Sequence, residues 1–408
     1  MYNLHLSAEQ LEIRDTVRDF VTQEVKPVTL KSARLDACDR SLPEDVLDSA
    51  SQMGLRTLAL AEENGGAGAD TLTSCIVAEE LAVGDADVAA TLTETSRLGH
   101  LLFDTLMTAE QRERFLPQFL EDDRFHLALA TREPDSDNEL GINYHRAVPI
   151  APQLRTTAVR AGNREWVLNG AKHCVGNGPI AKLFAVEVAT DPASGRGGVS
   201  VILVPRDTPG LTVREPKDGL AWHHGSSGEL AFEDCRVPAE NLLGAEGDGT
   251  GAIAAEGRHV SALNLGVGRS AYEAALDYAQ LRVQGGRRIV EHQAIGSKLA
   301  EIAIRLEVAR NFIWQAAWAA DNPGAVSDRS VSGLPLSEIA RVFTSEMVHY
   351  IAKESAEVFG AMGVMRDMPL QKYIGDALIF LHSGNGASDA KLRIAEALVG
   401  FERPAGHA

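Results

Sequence analysis

Apolar residues recur at helical spacing near the start of the chain, at Ile13, Val17, Phe20, Val21 and Val25. That repeat puts one face of an α-helix against a core. Ser7 followed by Gln10 has capping-box spacing and predicts the helix start, and Pro27 predicts its end. The same periodicity predicts helices over about 42–54, 70–83 and 86–106, and Thr108 with Gln111 repeats the capping signal ahead of a short one. Residues 1–121 therefore read as a helical domain.

From residue 122 the pattern changes. Phe125–Thr131, Leu154–Arg160, Trp166–Leu168, Leu183–Ala189, Val199–Pro205 and Glu229–Val237 are short runs rich in β-branched or apolar residues. Turn formers such as Gly162-Asn163 and Gly195–Gly198 separate several of them. Residues 122–244 predict an antiparallel β domain, barrel or sandwich. Helical patterns return over about 251–284, 291–320, 335–359 and 386–399, with Asp321-Asn322-Pro323-Gly324 stopping the second. Residues 245–408 thus form a second helical domain, and helices, then strands, then long helices make an α+β layout.

Composition narrows the function. The 408 residues suffice for two to three domains. The net charge of −18 argues against nucleic acid or an anionic membrane surface as the main partner, although local cations can still hold a small anion. Four cysteines without a CxxC pair suit a reducing compartment. With no apolar run near the ~18 residues of a membrane span and no secretion signal in the opening residues, a cytoplasmic location is expected.

Read in this order, the local motifs resemble the acyl-CoA dehydrogenase family over nearly the whole chain. Leu6-Ser7-Ala8-Glu9-Gln10 and Gly65-Gly66-Ala67-Gly68 look like its first helix and Gly-rich turn. Glu133-Pro134 sits where the family has Thr-Glu-Pro. Leu168-Asn169-Gly170-Ala171-Lys172 followed by Gly176-Asn177-Gly178 is similar to the segment passing the flavin ring. Phe232-Glu233-Asp234-Cys235-Arg236-Val237-Pro238 and Ala239–Gly244 resemble the last strand and the exit from the β domain. Arg282-Val283-Gln284-Gly285-Gly286 and Gln293 fall where the family reads Arg-x-Gln-Phe-Gly and a downstream Gln.

The resemblance implies a helical N-terminal domain, a central antiparallel β domain and a C-terminal four-helix bundle. It implies FAD held between these parts and across a subunit interface, an acyl-CoA thioester against the flavin, and a homotetramer or dimer. In that chemistry a carboxylate takes the proton α to the thioester carbonyl while the β hydride passes to the flavin. By the same resemblance, Thr131, Cys174, Gly176, Arg282, Gln293, Glu357, Gly360, Gly386 and Ser388 are cofactor-binding, and Asn138 and Arg258 are substrate-binding.

Several positions depart from the family. Its two places for the base fall on Gly384 and Gly257, neither of which carries a carboxylate. Glu94, in a segment that by resemblance lines the acyl end of the pocket, is a substitute base or else an ordinary solvated helix residue. Glu256 is about 100° around a helix from the second base position, and Asp389 suits a helix N-terminal charge. His382 is the other acid–base candidate, or else a structural histidine at a bundle end. Cys174 and Gly176 replace the family's flavin-packing ring and a hydroxyl, and Gly285 replaces its adenine-stacking aromatic. Glu139 and Glu357 add negative charge beside expected phosphates. Arg282 suits a pyrophosphate, and the Gly384–Ser388 turn leads into a helix N-terminus that can present N–H groups to an anion. His223-His224 diverge on a strand and have no third ligand, so no metal is expected.

The expected activity is that of a FAD-dependent acyl-CoA dehydrogenase-like oxidoreductase with a relocated base or an altered reaction. The alternatives are a flavin-dependent monooxygenase or oxidase of the same fold, or a base-less supporting subunit in a hetero-oligomer.

Overall fold

Both capping boxes close as reciprocal hydrogen bonds in the computed structural model, which describes residues 5–35, 41–134, 154–214, 227–249, 258–323, 334–382 and 386–400. Ser7 Oγ accepts the Gln10 N–H at 3.1 Å and Gln10 Oε1 accepts the Ser7 N–H at 3.0 Å, opening α1 (Ala8–Phe20). The helix does not stop at Pro27. A π-helical turn, Val21–Val25, leads into α2 (Lys26–Thr29). Pro27 falls in the first turn of α2, where the widened turn has shifted the carbonyl register and its missing N–H costs little.

Helix α3 (Glu44–Gln52) precedes α4 (Thr71–Gly84), capped by Asp70, and α5 (Ala86–Gly99), capped by Asp85. Helix α5 runs on as a π-helical segment, His100–Leu106. The second capping box, Thr108 with Gln111, opens α6 (Ala109–Glu121).

Eight strands form one sheet: β1 (His126–Ala130), β2 (Thr157–Ala161), β3 (Glu165–Val175), β4 (Ala181–Ala189), β5 (Val199–Pro205), β6 (Leu211–Arg214), β7 (Gly228–Pro238) and β8 (Leu242–Leu243). Their order is β6-β7-β3-β2-β4-β5-β8, with β1 beside β4. The sheet is mixed rather than wholly antiparallel, because β1 runs parallel to β4 and Thr157 of β2 meets Ala189 of β4 in parallel. The β2–β3 hairpin separates β1 from β4 in sequence, so no tight turn forces them antiparallel. Consecutive residues of β4 face different cores. Phe184 and Val186 join Trp166, Ile202 and Phe232 on one side. Leu183 and Ala185 join Phe103, Phe119 and Leu127 on the other. Burial on both faces explains why these strands read as unbroken apolar runs.

Strand β3 reaches well past Trp166–Leu168. It passes Gly170, at φ +138°, where a Cβ would lie 2.6 Å from the Thr156 backbone.

The C-terminal part contains α7 (Arg258–Leu281), a hairpin of β9 (Val283–Gln284) and β10 (Arg287–Arg288), α8 (Gln293–Asp321), α9 (Leu336–Val358), α10 (Leu370–His382) and α11 (Gly386–Val399). The sequence pattern does not announce α10, because Lys372 and Asp376 interrupt its apolar face. Both are buried, with Lys372 Nζ 2.8 Å from Asp376 and 3.3 Å from Asp85. One core joins the N-terminal helices to the bundle through Val17, Leu81, Leu92, Leu265, Leu306 and Ile351. Two buried carboxylates join the same elements: Arg18 meets Glu80 at 2.7 Å, and Arg269 and Arg310 each meet Glu79 at 2.8 Å. No helix among the described residues is long and apolar enough to cross a membrane.

Candidate active site

Glu94 lies half-buried on α5. Its two oxygens accept from Arg97 Nη2 at 2.8 Å and Nε at 3.0 Å, an i,i+3 fork across one helical turn. Burial works against the Arg97 charge, and Glu94 more than offsets it, so the guanidinium holds its proton above the ordinary range. Arg97, Thr93 and Ser96 line a cavity of about 10 Å³ together with Ser74 of α4, Leu58, and His259 in the first turn of α7. That space suits one water molecule. Glu94 does not line it, whereas its partner Arg97 does.

Strand β3 ends in a bulge, with Lys172 opposite Leu230 and Val175 opposite Gly228, so that His173 and Cys174 together face Glu229. Cys174 takes φ +52°, a strained conformation for a side chain with a Cβ, and its thiol group is free and exposed. Gly176, Asn177 and Gly178 then turn back, with the Gly178 N–H on Val175 O at 3.0 Å and the Ala181 N–H on Asn177 O at 2.7 Å.

The strap after β1 lies against this bulge. His173 N–H donates to Arg132 O at 2.9 Å. Lys172 Nζ donates to Thr131 O at 3.1 Å and to Glu133 at 3.0 Å. Glu133 also accepts the Arg155 and Thr156 N–H groups at 2.8 and 2.9 Å. Burial alone would raise the Glu133 carboxyl, but Lys172 and these donors hold it below its ordinary range. Thr131, Cys174 and Gly176 are thereby gathered where β1 and β3 end.

A second constellation lies at the other end of α7. Arg282, Gln284, Gly285, His292, Glu357 and Gly360 line a cavity of about 340 Å³. Gly285 and Gly286 take φ +63° and +83°, the left-handed pair that a two-residue hairpin turn requires. The hairpin therefore accounts for glycine at a position where the resemblance would put an aromatic residue. The His292 ring lies 3.4 Å from where a Gly285 Cβ would be, and its Nε2 is 3.0 Å from Gln284 O. Tyr278 and Phe359 stack beside it, with centroids 4.2 Å apart. The expected repulsion from Glu357 is offset. Lys298 contacts it at 2.7 Å and also pairs with Glu354, and the Lys298 hydrogen bond holds the Glu357 carboxyl below its usual range.

Of the remaining sequence candidates, Gln293 opens α8 next to this cavity and is exposed. His382 ends α10, also exposed. Gly386 and Ser388 fall in the first turn of α11 and Arg258 begins α7. Asn138, Glu139, His223, His224, Glu256, Gly257 and Gly384 lie outside the described residues. Among the described residues, no group of three His, Cys, Asp or Glu side chains could hold a metal ion. Sequence reasoning missed Arg97, Lys298 and His292. The spacing from Glu94 could have pointed to Arg97, whereas Lys298 and His292 carry no local signal.

The chain matches three described domains: "Acyl-CoA dehydrogenase, N-terminal domain" over residues 7–123, "middle domain" over 150–235 and "C-terminal domain" over 250–399. An acyl-CoA dehydrogenase of Bacillus subtilis is 31% identical over 381 residues, covering 92% of this chain and 94% of the relative. Butyryl-CoA dehydrogenase from Megasphaera elsdenii superposes with a TM-score of 0.84 at 26% identity, over 98% of this chain and 100% of the other. The prolyl acyl carrier protein oxidase AnaB superposes with a TM-score of 0.80 at 25% identity, over 97% and 100%.

Proposed function

The chain belongs to the acyl-CoA dehydrogenase family, and on that premise we propose that it is a FAD-dependent oxidoreductase acting on an acyl-CoA thioester, with a relocated base or an altered reaction. The observation that carries this reading is the 340 Å³ cavity. Its donor set suits a dinucleotide: a guanidinium and an amide for phosphate oxygens, a charge-balanced Glu357, and a Gly360 whose missing Cβ leaves open space.

FAD, when bound, supplies the two-electron acceptor. In this reading Arg282 and Gln284 hold its pyrophosphate side. Thr131, Cys174 and Gly176 form the wall along the ring, and the start of α11, with Gly386 and Ser388, offers N–H groups to an anion. Arg258 and Asn138 orient the thioester. Glu94 is the first choice as proton acceptor, and one of its oxygens must exchange Arg97 for the substrate to act. His382 is the second.

Helix α7 spans 24 residues, or about 36 Å at 1.5 Å per residue. The α5 site adjoins its first turn and the dinucleotide-type cavity lies at its far end. In this reading a complete site takes its two parts from different subunits of a homo-oligomer, dimer or tetramer. Domain limits of 1–121, 122–244 and 245–408 and a cytoplasmic location belong to the same proposal.

The likeness to a solved oxidase favours a second reading, an oxygen-using flavoprotein of the same fold, and a supporting subunit of a hetero-oligomer is the third. Anaerobic addition of acyl-CoAs to FAD-loaded protein separates them. Bleaching of the flavin supports the dehydrogenase, turnover only with oxygen supports the oxidase or monooxygenase, and flavin uptake only with a partner chain supports the subunit.

A further inference from the structure

The geometry points to a positioning node under the turn Gly176–Gly178, made of Asn177, Thr95 and His126, that fixes the turn against α5 and so tunes the flavin without touching substrate. The inference rests on the flavin reading above. Asn177 is 1% exposed and takes φ +60°, a conformation asparagine tolerates better than most residues. Its Nδ2 lies 3.2 Å from Thr91 O, 3.1 Å from Thr95 Oγ1 and 3.2 Å from Leu127 O. One amide thus ties the turn to α5 and to β1 together. Its orientation is settled by chemistry, since a flipped amide would set its oxygen against two carbonyl oxygens.

The donor order continues outward. Thr95 Oγ1 accepts from Asn177 and lies 3.2 Å from His126 Nδ1, so with the ring proton on Nε2 the Thr95 O–H donates to that nitrogen. His126 is 3% exposed, and its neutral ring supplies the acceptor this order needs. The node is not built for maximum stability. Asn177 Oδ1 and Thr91 Oγ1 are buried without a hydrogen-bond partner, a cost that apolar packing would avoid. What the polar arrangement gives is a fixed geometry. Thr91 and Thr95 share one face of α5, while Glu94 and Arg97 share another one residue, or about 100°, around. The helix that carries the candidate base therefore also carries the seat of the turn beside the flavin.

Thr95→Val keeps the shape and removes the hydroxyl, Thr95→Ser restores it, and Asn177→Gly keeps the backbone conformation and removes the amide. Thr95→Val and Asn177→Gly are expected to weaken FAD binding about tenfold and to shift the visible flavin spectrum and midpoint potential, with Thr95→Ser close to wild type. Backbone hydrogen exchange on the proteins as purified should show the Gly178, Ile180 and Ala181 amides exchanging about tenfold faster in the first two variants. Unchanged exchange at these amides, or an unchanged spectrum, potential and FAD affinity despite a lower Tm, would overturn the node. If wild-type protein takes up no FAD, the flavin reading fails, and the exchange measurement alone decides whether the node fixes the turn.

Discussion

At the scale of single residues, two buried charges make sharp predictions. Lys172 and Glu133 have side chains 0% and 5% exposed. Removing Lys172 takes the ammonium partner away from a buried Glu133 carboxylate, so Lys172→Met should cost about 3–5 kcal/mol. Adding Glu133→Gln should recover part of that loss, as read from denaturant midpoints.

His126 gives a pH signature. Burial, the largest effect, and Arg56 push its pKa down to about 4, against opposing pulls from Asp48 and Asp122, while Lys182 adds to the lowering. The unfolded chain therefore binds an extra proton between pH 6.5 and 4. Stability is full above the unfolded pKa and falls as pH drops through that window, by about 3 kcal/mol at its foot. His126→Gln should flatten this acid limb, and urea denaturation at a series of pH values measures it.

At the scale of elements, the Gly285-Gly286 turn sets what can be restored. Gly285→Phe puts the family's aromatic back at φ +63° and 3.4 Å from the His292 ring, so we expect about 1 kcal/mol of destabilisation and weaker rather than tighter FAD binding by fluorescence titration. Elements whose polarity follows their period were legible in the sequence: α1 with its capping box, α6, α8 and the doubly buried strands β4 and β5. Elements that bury charge or carry backbone irregularity were not. Lys372 and Asp376 hid α10, the polar run Asn169–Cys174 hid the end of β3, and the π-turn at Val21–Val25 let the first helix pass Pro27. The candidate site divides the same way. Arg282, Gly285, Glu357 and Gly360 were legible as a family motif and meet in one cavity. The Lys298 contact that neutralises Glu357 comes from a residue 59 positions away, and no sequence spacing announces such a pairing.

At the scale of the whole molecule, the two halves of the proposed site at opposite ends of α7 predict that flavin retention depends on assembly. Arg282→Ala should lower FAD affinity by about 1.5–3 kcal/mol, the worth of hydrogen bonds to a charged group. Diluting wild-type protein until it dissociates should release flavin in step, followed by light scattering and flavin fluorescence together. The proposed activity couples a flavin to an acyl thioester although Gly257 and Gly384, the positions that the resemblance assigns to the base, carry no carboxylate. Its most direct test is the visible spectrum of FAD-supplemented protein during anaerobic titration with a panel of acyl-CoAs. The account predicts bound flavin that one or more acyl-CoAs bleach, with the bleaching slowed about a hundredfold or more in Glu94→Gln. Protein that takes up no flavin, alone or with candidate partner chains, would contradict it.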